Sequence, residues 1–297
     1  MKILQIQNLH KKYGRIHAVN NLSLEIEKGM IYGILGPNGS GKTTTLGMIL
    51  DIIHPNSGQF QWFEGQFGEN PRRKMGALLE TPNFYPYLNA VDNLALVAHI
   101  KKVGTDQIDD LLELVNLADR KHSKFKTYSL GMKQRLAIAA AMIGNPEVLI
   151  FDEPTNGLDP QGIAEVRSTI LKIAKTGKTI IMASHILDEV EKICSHVAIM
   201  KNGKLLATGT VGSIINDDIT IEVSSQQNAN LKDLLSKDER INQISELGGK
   251  LVLQVDKTLE AWEINQLAAS NNIFLHHLVR KTKSLEDEFL EITKASN

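Results

Sequence analysis

The chain has 297 residues, 42% of them hydrophobic, which is enough for one large globular domain and a smaller one. Its formal net charge of −1 argues against broad binding to nucleic acid, so no nucleic-acid partner is expected. Cys194 is the single cysteine and cannot form an internal disulfide, and no metal-ligand spacing surrounds it.

The N-terminal part predicts short strands over residues 2–9, 16–26 and 31–35. Near Met1 there is no long apolar stretch typical of a secretory signal. Apolar runs elsewhere fall short of the roughly 20 residues that a membrane helix needs. We therefore expect a cytoplasmic protein that does not itself cross a bilayer.

The next residues match the phosphate-loop pattern Gly-x-x-x-x-Gly-Lys-Ser/Thr at every constrained position. The loop comprises Gly36, Pro37, Asn38, Gly39, Ser40, Gly41, Lys42 and Thr43, and Thr44 follows it. It lies between a predicted strand and a helical stretch over residues 43–51, as a phosphate cradle requires. Its backbone N–H groups can surround an anion, Lys42 adds charge, and the Thr43 hydroxyl can bind Mg²⁺. The predicted ligand is a nucleoside triphosphate.

Strands are predicted next over residues 60–64 and 76–79, followed by a mainly helical region over about 88–145. Within this region, residues 132–143 predict one helix, which Gly144 and Asn145-Pro146 end. The alternation of strands and helices on both sides indicates a largely parallel α/β core with an inserted helical subdomain.

A second motif follows the helical region. Residues 148–151 are apolar throughout, as a buried parallel strand requires, and Asp152 and Glu153 come directly after them. Ligands of α/β proteins bind at this carboxyl edge of the sheet. Asp152 is suited to hold the Mg²⁺ shell, and Glu153 is suited to take a proton from an attacking water.

The rest of the chain divides in two. Another buried strand is predicted over 179–183, and residues 197–200 and 205–208 form a hairpin signal across Asn202-Gly203, which suits a type I′ turn. Farther on, strands over 219–223 and 251–255 and two amphipathic helical stretches predict a small α/β extension without phosphate-binding motifs. We place an ATPase domain at residues 1–215 and an accessory domain at 216–297.

In order and spacing, these motifs resemble the ATP-binding subunit of ATP-binding cassette (ABC) transporters over residues 1–215. Tyr128-Ser129-Leu130-Gly131-Met132 lies where that family has its signature, usually Leu-Ser-Gly-Gly-Gln. The resemblance implies an α/β P-loop NTPase core of the ABC type with an N-terminal antiparallel β subdomain and an inserted helical subdomain. It also implies a dimer, with Ser129 and Gly131 facing ATP held by a second copy of the chain or a similar subunit.

Further roles follow from the resemblance alone. Asp159, in Gly157-Leu158-Asp159, matches the D-loop that crosses the dimer interface. His185 matches the switch histidine that contacts the γ-phosphate, and Tyr13 matches the residue whose ring stacks on adenine.

Two departures from the family pattern indicate which branch of the family the chain resembles. Glu80 stands where the family has a glutamine that contacts Mg²⁺ and the attacking water. Its charge favours Mg²⁺ and repels the γ-phosphate, and the residues alone do not decide which effect is larger. In the signature, Leu130 and Met132 replace Gly and Gln, while the phosphate-contacting positions are intact. Together these residues resemble the bacitracin- and lantibiotic-resistance branch of ABC exporters, whose ATPase subunits work with a separate membrane permease.

Residues 81–88 form an aromatic stretch that begins at Thr81 and ends at Leu88. It contains Pro82, Phe84, Tyr85, Pro86 and Tyr87. In the family this region docks the permease, which would hold the ATPase at the inner face of the cell membrane. An exposed aromatic cluster often marks a contact site, whereas the alternative is an aromatic patch packed on the helical subdomain.

Two other functions compete with transport. A soluble ABC ATPase of translation or DNA repair is disfavoured, because the chain carries one cassette, no extended heptads and no Cys cluster. A non-hydrolysing regulator is disfavoured by the presence of both Glu153 and His185.

Overall fold

The computed structural model describes residues 1–68, 70–79, 81–215, 219–256, 258–282 and 284–294. Glu80, the predicted stand-in for glutamine, lies outside the described residues. The chain divides into two compact units, Met1–Val211 and a second that begins at Gly212. The division into an ATPase domain and an accessory domain at residue 215 stays a prediction.

The first unit contains both strands and helices. Its strands are β1 (Lys2–Tyr13), β2 (Ile16–Glu27), β3 (Ile31–Leu35), β4 (Ser57–Trp62), β5 (Met75–Leu78), β6 (Val148–Asp152), β7 (Thr179–Ser184), β8 (His196–Lys201) and β9 (Lys204–Thr210). Its helices are α1 (Lys42–Ile49), α2 (Ala90–Lys101), α3 (Ile108–Leu114), α4 (Leu130–Met142), α5 (Pro160–Ala174) and α6 (Leu187–Ile193), and α7 (Val211–Ile214) begins at its last residue.

The core sheet has the strand order β5-β6-β7-β3-β8-β9. Its strands pair in parallel except for β8 and β9, which form the predicted hairpin. Asn202 and Gly203 have φ of 50° and 76°, as a type I′ turn needs. Every residue of β6 and β7 is buried, which explains their uninterrupted apolar runs. Because β3, β6 and β7 run in parallel, their carboxyl ends meet at one edge of the sheet, where the phosphate loop and the acidic pair follow them.

The N-terminal subdomain is an antiparallel sheet with the order β2-β1-β4. Strand β4 covers Ser57–Trp62, and not the predicted residues 60–64. Phe63 and Glu64 both have φ of 53° and belong to a short 3₁₀ turn, so the chain leaves the sheet after Trp62. The predicted α/β fold class is otherwise confirmed, with helices α2 to α4 inserted between β5 and β6.

The second unit contains β10 (Ile219–Ser225), α8 (Asn228–Leu235), β11 (Ile241–Leu247), β12 (Lys250–Val255), α9 (Ala261–Ser270), β13 (Leu275–Thr282) and α10 (Leu285–Lys294). Its strands form an antiparallel sheet in the order β11-β12-β10-β13. The sequence predicted β10 and β12 but missed the other two strands. β11 is mostly exposed, and β13 carries His276, His277, Arg280 and Lys281, so neither shows a clear apolar alternation.

A carboxylate on β10 forms ion pairs with side chains on both neighbouring strands, β12 and β13. Glu222 accepts a hydrogen bond from Lys281 at 2.5 Å and pairs with His277 at 3.2 Å and Lys250 at 3.5 Å. These donors, Lys281 foremost and then His277, hold the pKa of Glu222 down at about 2.

Across the described residues of both units, no helix has the length and apolar character needed to cross a membrane.

Candidate nucleotide site

The phosphate loop joins β3 to α1, as predicted, and its shape requires glycine at two positions. A Cβ at Gly36 would overlap the carbonyl oxygen of Met200, and one at Gly41 would overlap that of Ala18. Gly41 also has φ of 106°, a conformation that L side chains rarely adopt. The first N–H groups of α1 lack partners within the helix, so the loop ends at a site suited to an anion.

Two polar side chains are buried inside this loop. Lys42 is only 5% exposed, and its ammonium donates to the carbonyl oxygen of Gly36 at 2.8 Å. The Ser40 hydroxyl is also buried and has no hydrogen-bond partner among the described residues. A buried hydroxyl and a buried ammonium next to free helix N–H groups fit phosphate oxygens, which accept hydrogen bonds and carry negative charge.

Glu153 contacts two other predicted site residues, Lys42 and His185. One carboxylate oxygen, Oε1, lies 3.3 Å from Lys42 Nζ, and the other, Oε2, lies 2.8 Å from His185 Nδ1. The backbone N–H of His185 also donates to Oε2, at 3.3 Å. Because an ionised carboxylate only accepts, His185 donates through Nδ1, which leaves Nε2 for another partner.

The backbone explains this convergence. Glu153 has φ of 49°, and its N–H donates to the carbonyl oxygen of Ala183 on β7 at 3.0 Å. That bond fixes the residue after β6 beside the end of β7, two positions before His185. Such left-handed strain in a residue other than glycine persists only where the surroundings enforce it, and it is common at active sites.

Two side chains with oxygen atoms suited to Mg²⁺ lie near the carboxyl ends of β6 and β3. Asp152 is buried at the end of β6, and Thr43 is exposed on the first turn of α1. Among the described residues, no group of three or more His, Cys, Asp or Glu side chains could hold a metal by itself. Mg²⁺ in nucleotide sites is typically held by one or two protein groups together with the phosphates, so a hydroxyl and a carboxylate fit this metal.

The signature residues lie on a different part of the first unit. Ser129 caps α4, where its Oγ accepts from Met132 N–H at 3.3 Å, so the helix begins earlier than the predicted residue 132. Asp159 caps α5 in the same way, accepting from Gly162 N–H at 2.9 Å. In the described structure, no hydrogen bond or ion pair connects Ser129, Gly131 or Asp159 to the phosphate loop or to Glu153.

Tyr13 ends β1 with 48% of its surface exposed. The ammonium of Lys11 lies 5.1 Å from the centre of its ring. An exposed ring beside a cation is available to stack on a planar base.

The aromatic stretch 81–88 carries two exposed rings. Tyr85 and Tyr87 are 53% and 63% exposed, and their ring centres lie 5.9 Å apart. Phe84 instead packs edge-on against Phe125, 5.2 Å away. The stretch therefore combines exposed tyrosines with a ring that faces the helical subdomain.

Asn93 holds this stretch in place, and the sequence analysis missed it. Its buried side chain accepts from Tyr85 N–H at 2.9 Å and donates to the carbonyl oxygens of Tyr85 and Asn89 at 3.2 and 2.9 Å. A sequence signal existed, since Asn93 is a polar residue on the buried face that Ala90, Leu94 and Ala98 mark at helical spacing.

Comparison with known proteins identifies the family of this site. The ABC transporter family model matches residues 19–156. The ABC transporter ATP-binding protein YdbJ of Bacillus subtilis is 37% identical over 99% of this chain and 96% of its own. The bacitracin transport ATP-binding protein BcrA of Bacillus licheniformis is 36% identical over 98% of this chain and 97% of its own. The lantibiotic transport ATP-binding protein SrtF of Streptococcus pyogenes is 40% identical over 69% and 89%.

Solved structures agree with these sequence relatives. CbiO1 from Clostridium perfringens, part of the ABC transporter complex cbiONQ, has a TM-score of 0.64 and 30% identity over 70% of this chain and 88% of its own. A dimeric ATP-binding cassette in a post-hydrolysis state, bound to ADP and phosphate, has a TM-score of 0.62 and 26% identity over 70% and 98%.

Proposed function

Because this chain belongs to the ATP-binding proteins of ABC transporters, which are ATPases that power transport, we propose that its transporter exports peptide antibiotics or protects the cell from them. The observation that carries this proposal is the match to the bacitracin transport protein, which extends over 98% of the chain and so includes the second unit. The lantibiotic transport relative supports the same substrate class. Leu130 and Met132, and Glu80 outside the described residues, are the signature and loop departures that pointed to this branch.

In the chemistry proposed for the site, Lys42 first changes its ion-pair partner. Lys42, paired with Glu153 Oε1 in this structure, would turn to the terminal phosphates of ATP, because they bring a higher negative charge into the loop. Glu153 Oε1 would then be available to take a proton from the attacking water. His185 would keep Oε2 in place through its ring and backbone N–H groups while its Nε2 contacts the γ-phosphate.

Thr43 and Asp152 are the described residues proposed to hold Mg²⁺, and Glu80 is proposed as a further ligand. Bound Mg²⁺ would neutralise charge on the β- and γ-phosphates. The remaining loop residues, Gly36, Pro37, Asn38, Gly39, Ser40, Gly41 and Thr44, are proposed to surround the phosphates, with Tyr13 stacking on adenine.

A second copy of the chain, or a similar ATPase subunit, is the proposed partner in the ATP site. Ser129 and Gly131 would contact ATP held by that partner, and Asp159 would cross the interface. Among the described residues, no hydrogen bond or ion pair links them to the phosphate loop of their own chain. This observation and the dimeric state of a related cassette support the arrangement. The proposal predicts a site that closes only in the dimer.

Residues 81–88 are the proposed docking site for an integral membrane permease. Exposed tyrosines are frequent anchors in interfaces, and Asn93 holds the backbone of Tyr85 from below. Docking would keep the subunit in the cytoplasm, on the inner face of the membrane. We treat residues 1–215 as the ATPase domain and 216–297 as an accessory domain.

Resistance measurements test the substrate class. The chain would be co-expressed in an antibiotic-sensitive bacterium with the permease that co-purifies with it from membranes. We expect a raised minimal inhibitory concentration of bacitracin or a lantibiotic with the wild-type chain and none with Glu153→Gln, which serves as the matched control. An active ATPase with its permease but no protection against any peptide would refute the substrate class. Co-purification of ribosomes or DNA instead would refute transport.

A further inference from the structure

A groove of about 550 Å³ lies at the C-terminal end of α2, away from the nucleotide site. Its walls come from the 3₁₀ turn Pro71–Lys74, from the last residues of α2 and from the residues that follow α4. The docking stretch 81–88 precedes the other end of this helix of 12 residues, about 17 Å away at 1.5 Å per residue. The groove therefore lies at the opposite end of α2 from the docking stretch, and none of its described lining residues belongs to the phosphate loop or to that stretch.

The walls of the groove are positively charged. Arg72, Arg73, Lys101 and Lys102 line it, and no Asp or Glu is among its described lining residues. Arg72 pairs with Asp51 at 3.4 Å, and Lys101 donates to the carbonyl oxygen of Ile143 at 2.8 Å.

Two of these cations have no such partner. Among the described residues, neither the Arg73 guanidinium nor the Lys102 ammonium has an ion-pair or side-chain hydrogen-bond partner. Because Arg72 is already paired with Asp51, the other three cations are the local excess of positive charge, in a chain whose formal charge is −1, and they favour an anion.

The groove also has apolar walls and an apolar rim. Met75 and Ile143 line it together with Val103, and Ile100 stands at the rim with 78% of its surface exposed. A lone phosphate would gain nothing from these side chains. Cations next to an exposed isoleucine match instead the boundary between headgroups and acyl chains of a membrane, where apolar side chains enter the bilayer and Lys and Arg reach phosphates.

We propose that this groove binds the headgroup of an anionic phospholipid, with Arg73 and Lys102 contacting the phosphate and Ile100 entering the acyl region. The proposal rests on the transporter assignment only in that the subunit then works beside a membrane. Such a contact would add to the hold of the permease, because two linked weak contacts bind together more tightly than either alone.

Vesicle sedimentation of the full chain tests the proposal. We expect binding to phosphatidylglycerol vesicles and little binding to phosphatidylcholine vesicles. The double variant Arg73→Gln/Lys102→Gln should lower the partition coefficient about 30-fold, since each cation near an anionic surface contributes about 1 kcal/mol. Ile100→Ser should weaken binding while leaving its salt dependence unchanged. Retained basal ATPase activity shows that the variants are folded, because none of these residues belongs to the nucleotide site.

A matched control removes the same charge elsewhere. Lys172→Gln/Lys175→Gln changes two exposed lysines at the C-terminal end of α5, so binding to vesicles should stay close to that of the wild type. An equal loss in this control would overturn the proposal in favour of non-specific charge. Displacement by glycerol phosphate at the affinity of the vesicles would overturn it in favour of a soluble phosphate, and displacement by polyglutamate would point to an acidic protein segment. None of these results would alter the resistance measurements, so the two proposals fail separately.

Discussion

Replacing Glu153 by glutamine tests the assigned base directly. The substitution removes the charge and keeps nearly the same shape, so the amide can still contact His185 at the end of β7. A positioned general base contributes about 10²- to 10⁴-fold to a rate, so kcat for ATP hydrolysis should fall by that factor, or about 2.7 to 5.4 kcal/mol in barrier.

ATP binding should respond in the opposite direction. In the wild type, Glu153 Oε1 lies 3.3 Å from Lys42 Nζ and competes with the phosphates for that ammonium. A neutral glutamine competes less, so the variant should bind ATP at least as tightly and accumulate as an ATP-bound dimer. Phosphate release measures the first effect, and light scattering of the chromatographed protein with and without ATP measures the second.

The two readouts separate catalysis from folding. His185→Ala is the companion variant, because it removes the contact of the histidine ring with the carboxylate but leaves the base and the backbone hydrogen bond to it. We expect a loss of kcat with a smaller effect on the dimer. Wild-type turnover by Glu153→Gln would refute the assignment of the base. Loss of ATP binding together with turnover would instead show that Glu153 mainly supports the loop.

Other substitutions probe the remaining parts of the molecule. Tyr13→Ala should raise KM for ATP roughly 5- to 150-fold with little change in kcat, because stacking on a base is worth about 1–3 kcal/mol; an unchanged KM would exclude the adenine contact. Ser129→Ala removes the cap of α4, worth about 1 kcal/mol in a thermal melt, and should also lower kcat at concentrations that form the dimer, whereas a cap alone would affect only the melt. Asn93→Ala should weaken co-purification with the permease while basal ATPase activity persists, because Asn93 holds the backbone of Tyr85. Asn89→Ala, which removes only the cap of α2, is its control. Equal effects of the two substitutions on co-purification would mean that Asn93 merely stabilises α2. Glu222→Gln should lower the thermal midpoint at pH 7, because the ionised carboxylate is stabilised by its contacts with Lys281 and His277 in the folded state. The difference in midpoint between wild type and variant should shrink as the pH falls from about 4.5 toward 2, where the carboxylate takes up a proton. A difference that stays constant with pH would contradict this electrostatic explanation.

Much of the core followed from the sequence because parallel strands impose a simple geometry. Buried apolar runs that end in chemically active residues place those residues at one edge of a sheet, and Lys42, Glu153 and His185 lie close together at that edge. The pairing of Glu153 with both partners was not predictable, because it depends on the left-handed backbone at that residue and on its bond to β7.

The less predictable parts lack a periodic apolar signal. Strands β11 and β13 carry polar residues on most positions, and their pairing is visible only once β10 and β12 are in place. Asn93 is similar, since two of its three hydrogen bonds reach Tyr85 in a loop that precedes α2, and only the folded chain shows this contact. In both cases tertiary contacts decide what local propensity leaves open.

Packing gives one of the signature departures a physical meaning. Leu130 stands where the family usually has glycine, and its Cδ2 would lie 3.5 Å from a Cβ placed on Gly157 of the D-loop. A Cβ on Gly131 would likewise lie 3.5 Å from Cα of Gly162, in the first turn of α5. The leucine therefore lies beside the segment that leads to Asp159, although 45% of its surface is exposed. Ser129 still caps α4 beside it, so this departure from the family pattern leaves the start of the helix intact. Because Ser129 and Asp159 are the residues proposed to reach the partner subunit, the exposed leucine would lie on the same proposed interface.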